Sequence, residues 1–142
     1  MDFDELYQEI ILDHYKHPRN KCDLSHIPDS HLHENPTCGD SIKLEVLLQN
    51  SAVDQLRFDG IGCAISMASA SMMSELMSGK SQTEVRALTE MFIKIMQGES
   101  SNMVLSDWGD LVSLAGVAQF PVRVKCATLA WHALLAQLDG AS

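Results

Sequence analysis

Basic residues are scarce in this chain, and their scarcity argues against whole classes of partner. The 142 residues include ten Lys and Arg against nineteen Asp and Glu, which gives a formal net charge of -9. Nucleic acids and anionic membranes are bound through clustered positive charge, which an acidic chain does not offer. We therefore expect neither nucleic acid nor a membrane as a partner, and we expect a soluble protein.

The chain also lacks signals of export and of membrane insertion. Its apolar runs are far shorter than the roughly 20 residues that span a bilayer. Three of its first five residues are acidic, whereas a signal peptide begins with basic residues. No repeat or low-complexity segment interrupts a chain that is 46% hydrophobic. These features predict a cytoplasmic protein in which residues 1–142 form a single domain.

No two of the four cysteines have the Cys-x-x-Cys spacing of a zinc finger. In a reducing compartment such thiols are expected to be free, metal-bound or catalytic, and not disulfide-paired. Cys38, Cys63 and Cys126, together with Asp40, would supply three thiolates and one carboxylate. Zinc and iron both accept such a set of ligands, so the spacing leaves the metal open.

Apolar residues at helical spacing predict four helices. They run from Phe3 to about His17, from Cys63 to Gly79, from Ser81 to just before Gly98, and from Pro121 onward. Capping boxes mark two of the starts, with Asp2 three residues before Glu5 and Ser81 three residues before Glu84. The methionines of the helix that runs from Cys63 to Gly79 are interpreted as core-filling residues.

Residues 41–59 alternate between apolar and polar side chains, which predicts an antiparallel hairpin. One face of its first strand would carry Ile42, Leu44, Val46 and Leu48, and the second strand would carry Leu56 and Phe58. The first strand leaves directly from Asp40, and the second runs into Cys63. We therefore expect the hairpin to bring Cys38 and Cys63 to the same end of the sheet.

Two stretches show no clear period. Residues 21–34 are interpreted as an extended, mobile connection whose histidines are solvated, because nothing aims His26, His31 and His33 at one point. Residues 99–107 are polar and irregular, and a short apolar stretch follows at 108–117.

The position of a residue in its predicted helix affects whether it can serve as a ligand. Cys63 and Cys126 are predicted near helix N-termini, where the macrodipole favours a thiolate. His132 lies six residues after Cys126, about 240° around a helix, so we expect it to be structural. Cys22 has no partner at ligand spacing and is interpreted as a bystander.

Four motifs resemble the IscU/SufU/NifU N-terminal family of iron–sulfur cluster assembly proteins. They are LYQEIILDHYKHPRN, NPTCGDSI, FDGIGCAISMASASMM and FPVRVKCATLAWHAL. The resemblance runs from about Leu6 to Leu138. Within the family the chain looks like the SufU branch, because Lys125 stands where the IscU scaffold branch has histidine. The longer interval before Cys126 would accommodate an insertion at about 99–116.

This resemblance implies an α+β fold, with a small antiparallel sheet packed against several helices and a metal site at one end of the sheet. It implies Zn²⁺ held by Cys38, Asp40, Cys63 and Cys126. It also implies a zinc-dependent sulfurtransferase that accepts persulfide sulfur from a SufS-like cysteine desulfurase. Downstream cluster-assembly proteins or apo iron–sulfur proteins would then receive that sulfur.

Cys38 is the candidate catalytic thiol, because Gly39 leaves its turn free to move while helices anchor the other two cysteines. Arg123 and Lys125 would attract a persulfide or form a solvated basic pair. Two alternatives stay open. One is a scaffold that assembles a [2Fe–2S] cluster on the same four ligands, and the other is a structural zinc domain that only binds a partner.

Overall fold

The computed structural model describes residues 3–99 and 108–140, which fold as a three-stranded antiparallel sheet and several helices. The α-helices are α1 (Phe3–Lys16), α2 (Ala64–Met77), α3 (Gln82–Met96) and α4 (Pro121–Gly140). The strands are β1 (His33–Asn35), β2 (Asp40–Gln49) and β3 (Ala52–Ile61). Among the described residues, two 3₁₀ helices span Asp29–His31 and Gly109–Gln119. The predicted α+β class is confirmed.

The hairpin of β2 and β3 confirms the alternation in the sequence. Leu44 faces Phe58 across the two strands, and both side chains are buried. Asn50 and Ser51 both have positive φ, as a two-residue type I′ hairpin turn requires. A bulge just before Leu48 ends the alternation, so Leu48 is exposed and does not share the buried face as predicted.

The connection between α1 and β2 is more ordered than the sequence predicts. Its start is bound to the sheet, since the Cys22 amide donates to the Phe58 carbonyl and the Phe58 amide donates to the Asn20 carbonyl, both at 3.0 Å. Its end forms β1, which pairs with β2 so that Asn35 lies opposite Asp40. A strand of three residues is too short to show a period of two, so the sequence did not reveal it.

Small residues on α2 let the other helices approach it closely. The Ser69 hydroxyl donates to the Ala127 carbonyl at 2.6 Å and accepts a 2.8 Å hydrogen bond from the Trp131 indole. The Trp131 ring stacks on Phe92 of α3, with centroids 4.0 Å apart. This polar and aromatic junction joins α2, α3 and α4, and it sets the position of α4 at the residue next to Cys126.

Two predicted helix starts are confirmed among the residues that the structure describes. The Ser81 hydroxyl accepts a hydrogen bond from the Glu84 amide, and Pro121 is the first residue of α4.

The capping box predicted at Asp2 and most of the irregular stretch, residues 100–107, lie outside the described residues. The methionines of α2 that are interpreted as core are buried, at positions 67, 72, 73 and 77. Within residues 3–99 and 108–140, no helix is both long and apolar enough to cross a membrane.

Phe92→Ala should lower the free energy of unfolding by about 3–5 kcal/mol, because it removes a fully buried ring that stacks on Trp131. The neighbouring Met91 is 40% exposed, so Met91→Ala serves as a control and should cost less than about 1 kcal/mol. Denaturant titration of both variants measures the difference. Equal losses in the two variants would contradict the assignment of this stack to the core.

Candidate functional site

Cys38 lies on the turn that joins β1 to β2. The register of Asn35 opposite Asp40 leaves four residues to close this turn. The Cys38 amide donates to the Asn35 carbonyl at 3.2 Å, and Gly39 takes a positive φ of 71° that favours glycine. The Cys38 side chain is half-buried, so solvent reaches this part of the site.

Asp40 is buried at the start of β2 and connects the sheet to α2. One of its carboxylate oxygens accepts the backbone amide of Cys63 at 2.9 Å. The other accepts the Asn35 side-chain amide at 3.3 Å. Gly62 makes this close approach possible, because a Cβ at that position would lie 2.5 Å from the nearer carboxylate oxygen.

Cys63 is the N-cap residue of α2, as its predicted place at a helix N-terminus requires. Its sulfur accepts a hydrogen bond from the Ser66 amide at 3.5 Å. This contact aims an otherwise unpaired helix amide at the sulfur, and such an environment stabilises negative charge.

Cys126 is buried in the second turn of α4, early in the helix as predicted. Its sulfur lies 2.9 Å from the Cys38 sulfur and 3.7 Å from the Asn35 side-chain nitrogen. Burial raises the pKa of the Cys126 thiol above its ordinary value, and hydrogen bonds with Cys38, Asp40 and Cys63 raise it further. At Cys126 this burial opposes the stabilisation of a thiolate that the helix dipole offers.

Three of the four predicted ligands already lie together. The sulfur of Cys38, an oxygen of Asp40 and the sulfur of Cys126 are all within 4.8 Å of one another. Cys63 is outside this group, although its thiol interacts with that of Cys126. The donor set suits zinc, and a divalent ion would supply the positive charge that a buried thiolate needs.

Arg123 and Lys125, which the sequence treats as one basic pair, point to different places. The hydrogen bond to Cys126 raises the pKa of Arg123 above its ordinary value, and the charges of Cys63, Cys126 and Cys38 add to this effect. Lys125 instead borders a cavity of about 400 Å³ together with His132 and His33. Only Arg123 of the pair places its positive charge beside the thiols.

The remaining sequence candidates stay apart from the thiols. Cys22 is half-buried, its amide bonds to the Phe58 carbonyl, and it joins no group of metal-ligating side chains among the described residues. His26 is exposed and bonds to Glu45, and His31 is exposed. Burial lowers the pKa of His33, and the charge of His31 lowers it further.

Asn35 and Gly62 are the site residues that sequence reasoning missed. Both stand inside the motifs quoted above, so their positions were visible, but no spacing rule assigns either of them a role. The Asn35 amide contacts two candidate ligands, and Gly62 leaves the Asp40 carboxylate the space it occupies. Only the pairing of β1 with β2 and the approach of α4 reveal these contacts.

Gly62→Ala should displace the Asp40 carboxylate, because the added methyl group would overlap it. We expect a loss of about 1–3 kcal/mol in the free energy of unfolding, together with weaker metal retention. Gly116→Ala is a matched control, since nothing lies within 4 Å of the position that its new methyl group would take. Thermal melting and metal analysis measure both effects, and equal behaviour of the two variants would contradict the close packing at Asp40.

Comparisons with known proteins agree with this geometry. Residues 6–127 match the family described as NifU-like N terminal domain. The chain is 45% identical over 135 residues to the zinc-dependent sulfurtransferase SufU of Bacillus subtilis, a match that covers 94% of this chain and 89% of that protein. It is 43% identical over 129 residues to the iron–sulfur cluster assembly scaffold protein IscU of Streptococcus pyogenes, a match that covers 91% and 80%.

A solved structure supports the same relationship. It belongs to a protein proposed to be an iron–sulfur cluster assembly scaffold for the SUF system of Fervidobacterium islandicum. That protein is 30% identical, with a TM-score of 0.76 over 94% of this chain and 97% of its own. The family match, the identities and the shared fold confirm the resemblance, and the chain belongs to the NifU-like N-terminal domain family, the family of IscU and SufU.

Proposed function

We propose that this protein is a zinc-dependent sulfurtransferase of iron–sulfur cluster assembly, which accepts sulfur on Cys38 from a cysteine desulfurase. The observation that carries the proposal is the half-buried Cys38 thiol beside the buried Asp40 and Cys126. The similarity to the sulfurtransferase of Bacillus subtilis supports the same interpretation.

Cys38, Asp40, Cys63 and Cys126 would hold the zinc. When bound, zinc would keep these thiols deprotonated at neutral pH, where burial alone holds the Cys126 thiol protonated. Asn35 would orient the site, because its amide donates both to Asp40 and to the Cys126 sulfur. Such hydrogen bonds to ligands tune metal affinity.

The transfer step needs a thiolate that can reach a partner's sulfur. Cys38, as the thiolate, attacks the outer sulfur of the persulfide on the desulfurase cysteine. A new bond forms between the Cys38 sulfur and that outer sulfur, while the original sulfur–sulfur bond breaks. The desulfurase cysteine leaves as a thiolate with the electron pair, and no external oxidant or reductant is needed. Arg123, held beside the thiols, would stabilise the anionic persulfide.

The surface around the thiols suits a protein partner. Ile61, Phe120 and Val122 are large apolar residues exposed by 72%, 60% and 55%, and each lies within a few residues of Cys63 or Cys126 in the chain. Exposed apolar side chains of this kind are typical of contact surfaces. We propose that the desulfurase docks here and that apo iron–sulfur proteins or other cluster-assembly proteins later receive the sulfur.

A second candidate function is a scaffold on which a [2Fe–2S] cluster is assembled with the same four ligands. The 43% identity to the scaffold protein of Streptococcus pyogenes favours it. Metal analysis and an absorption spectrum of the purified protein distinguish the two functions. Zinc without visible colour supports sulfur transfer, whereas iron, sulfide and a coloured solution support the scaffold.

Cys38→Ser should abolish the acceptance of sulfur, because no thiol would remain on the exposed turn. The test incubates the protein with a cognate desulfurase and cysteine, and mass spectrometry then searches for added sulfur on the peptide that contains residue 38. Cys22→Ser is the matched control, since this thiol lies outside the ligand group and should leave labelling unchanged.

Three outcomes of this experiment would overturn the assignment. Sulfur that still reaches the Cys38→Ser protein would show another acceptor thiol. A coloured cluster without any protein persulfide would favour the scaffold. Zinc binding with neither sulfur nor cluster would leave a structural zinc domain.

Asn35→Leu should weaken metal retention by about 10–100-fold, because it removes the amide that donates to the Asp40 carboxylate and to the Cys126 sulfur. Competition with a chromophoric chelator measures the affinity. Thr37→Ala, an exposed position on the same turn, is the control and should keep the affinity of the original protein. Unchanged affinity in Asn35→Leu would rule out a role for this amide in orienting the ligands.

A further inference from the structure

A second group of metal-ligating side chains lies away from the thiols. The ring of His14 on α1 is fully buried, and its Nε2 atom lies 2.9 Å from an Asp110 carboxylate oxygen. Its Nδ1 atom lies 2.8 Å from the Ser71 hydroxyl on α2. Ser71 is eight residues beyond Cys63, about 12 Å along that helix, so this group is separate from the thiol site.

Glu75 completes the group from the next turn of α2. A His14 ring nitrogen, a Glu75 oxygen and an Asp110 oxygen all lie within 4.8 Å of one another. Two carboxylates and one imidazole therefore converge from α1, α2 and the 3₁₀ helix Gly109–Gln119.

A hydrogen bond between His14 and Asp110 explains only part of this arrangement. That hydrogen bond involves only two of the three side chains, and it would hold the 3₁₀ helix against α1. Glu75 takes no part in it and has Arg19 as its partner at 3.9 Å, the outer limit of an ion pair. The Arg19 guanidinium offsets part of the negative charge of Glu75 and Asp110, and an ion held directly between the two carboxylates and the imidazole would neutralise more of it.

We propose that His14, Glu75 and Asp110 bind a divalent transition-metal ion such as Zn²⁺. One nitrogen and two oxygen donors suit zinc better than magnesium, which prefers oxygen alone. The Ser71 hydroxyl accepts from Nδ1–H in this state and leaves the Nε2 lone pair for the metal, an orienting contact typical of histidine ligands.

The surroundings leave room for the remaining ligands of such an ion. Glu75 and Asp110 are exposed and border a cavity of about 280 Å³ that Trp108 and Met72 also line. Water or a small ligand can therefore complete the coordination, while the buried His14 anchors the ion. This site would join the 3₁₀ helix to α1 and α2.

The test adds Zn²⁺ to the purified protein while NMR follows the ring nitrogens of His14 and isothermal titration calorimetry measures binding. We expect the His14 Nε2 signal to shift with one further equivalent of zinc, whatever the thiol site holds. Asp110→Asn and Glu75→Gln should each weaken this binding at least about tenfold, and magnesium should not compete. Glu9→Gln, an exposed acidic residue of α1 outside the group, should leave it unchanged.

The same measurements can overturn the site. A zinc-induced shift confined to His26, His31 or His33 would place the metal on the histidines between α1 and β2. Equal weakening by Glu9→Gln would indicate diffuse attraction to an acidic surface. If the His14 ring shows no shift at all, its only role is the hydrogen bond to Asp110. Because His14 reports its own site, each of these results is independent of sulfur acceptance by Cys38.

Discussion

The hydrogen bonds of the buried Asp40 carboxylate are the constraint on which the thiol site depends. One oxygen accepts the Cys63 amide at the start of α2, and the other accepts the Asn35 side chain at the end of β1. A buried carboxylate is stable only if such partners satisfy it, so the sheet edge and the helix start are held together. Gly62 supplies the space, since any larger residue would overlap the carboxylate.

Cys126 and Cys38 differ in burial, and this difference gives the two thiols different chemistry. Cys126 lies on the buried side of α4 with no exposed surface, where an uncompensated thiolate is unfavourable, so its chemistry depends on a positive charge nearby. Cys38 sits on a half-exposed turn only 2.9 Å away. Under the proposed function, Cys126 would hold the ion and Cys38 would meet the partner.

The elements of the fold follow from local sequence because their causes are local. The turn at Asn50 and Ser51, the cap at Ser81 and the start of α4 at Pro121 each depend on a few neighbouring residues. β1 escaped prediction because its three residues are strand only by pairing with β2. The bulge before Leu48 escaped it for the same reason, since a register shift belongs to two strands at once.

The sequence by itself determined that Cys38 and Cys63 share one end of the sheet, because a single hairpin returns the chain from one to the other. Only the tertiary structure decided where Cys126 lies, because 88 residues separate it from Cys38 and the Ser69 and Trp131 junction between α2 and α4 sets its position. The raised pKa of that thiol depends on burial. The burial of Cys126 and the convergence of His14, Glu75 and Asp110 both result from the packing of helices that are far apart in the sequence.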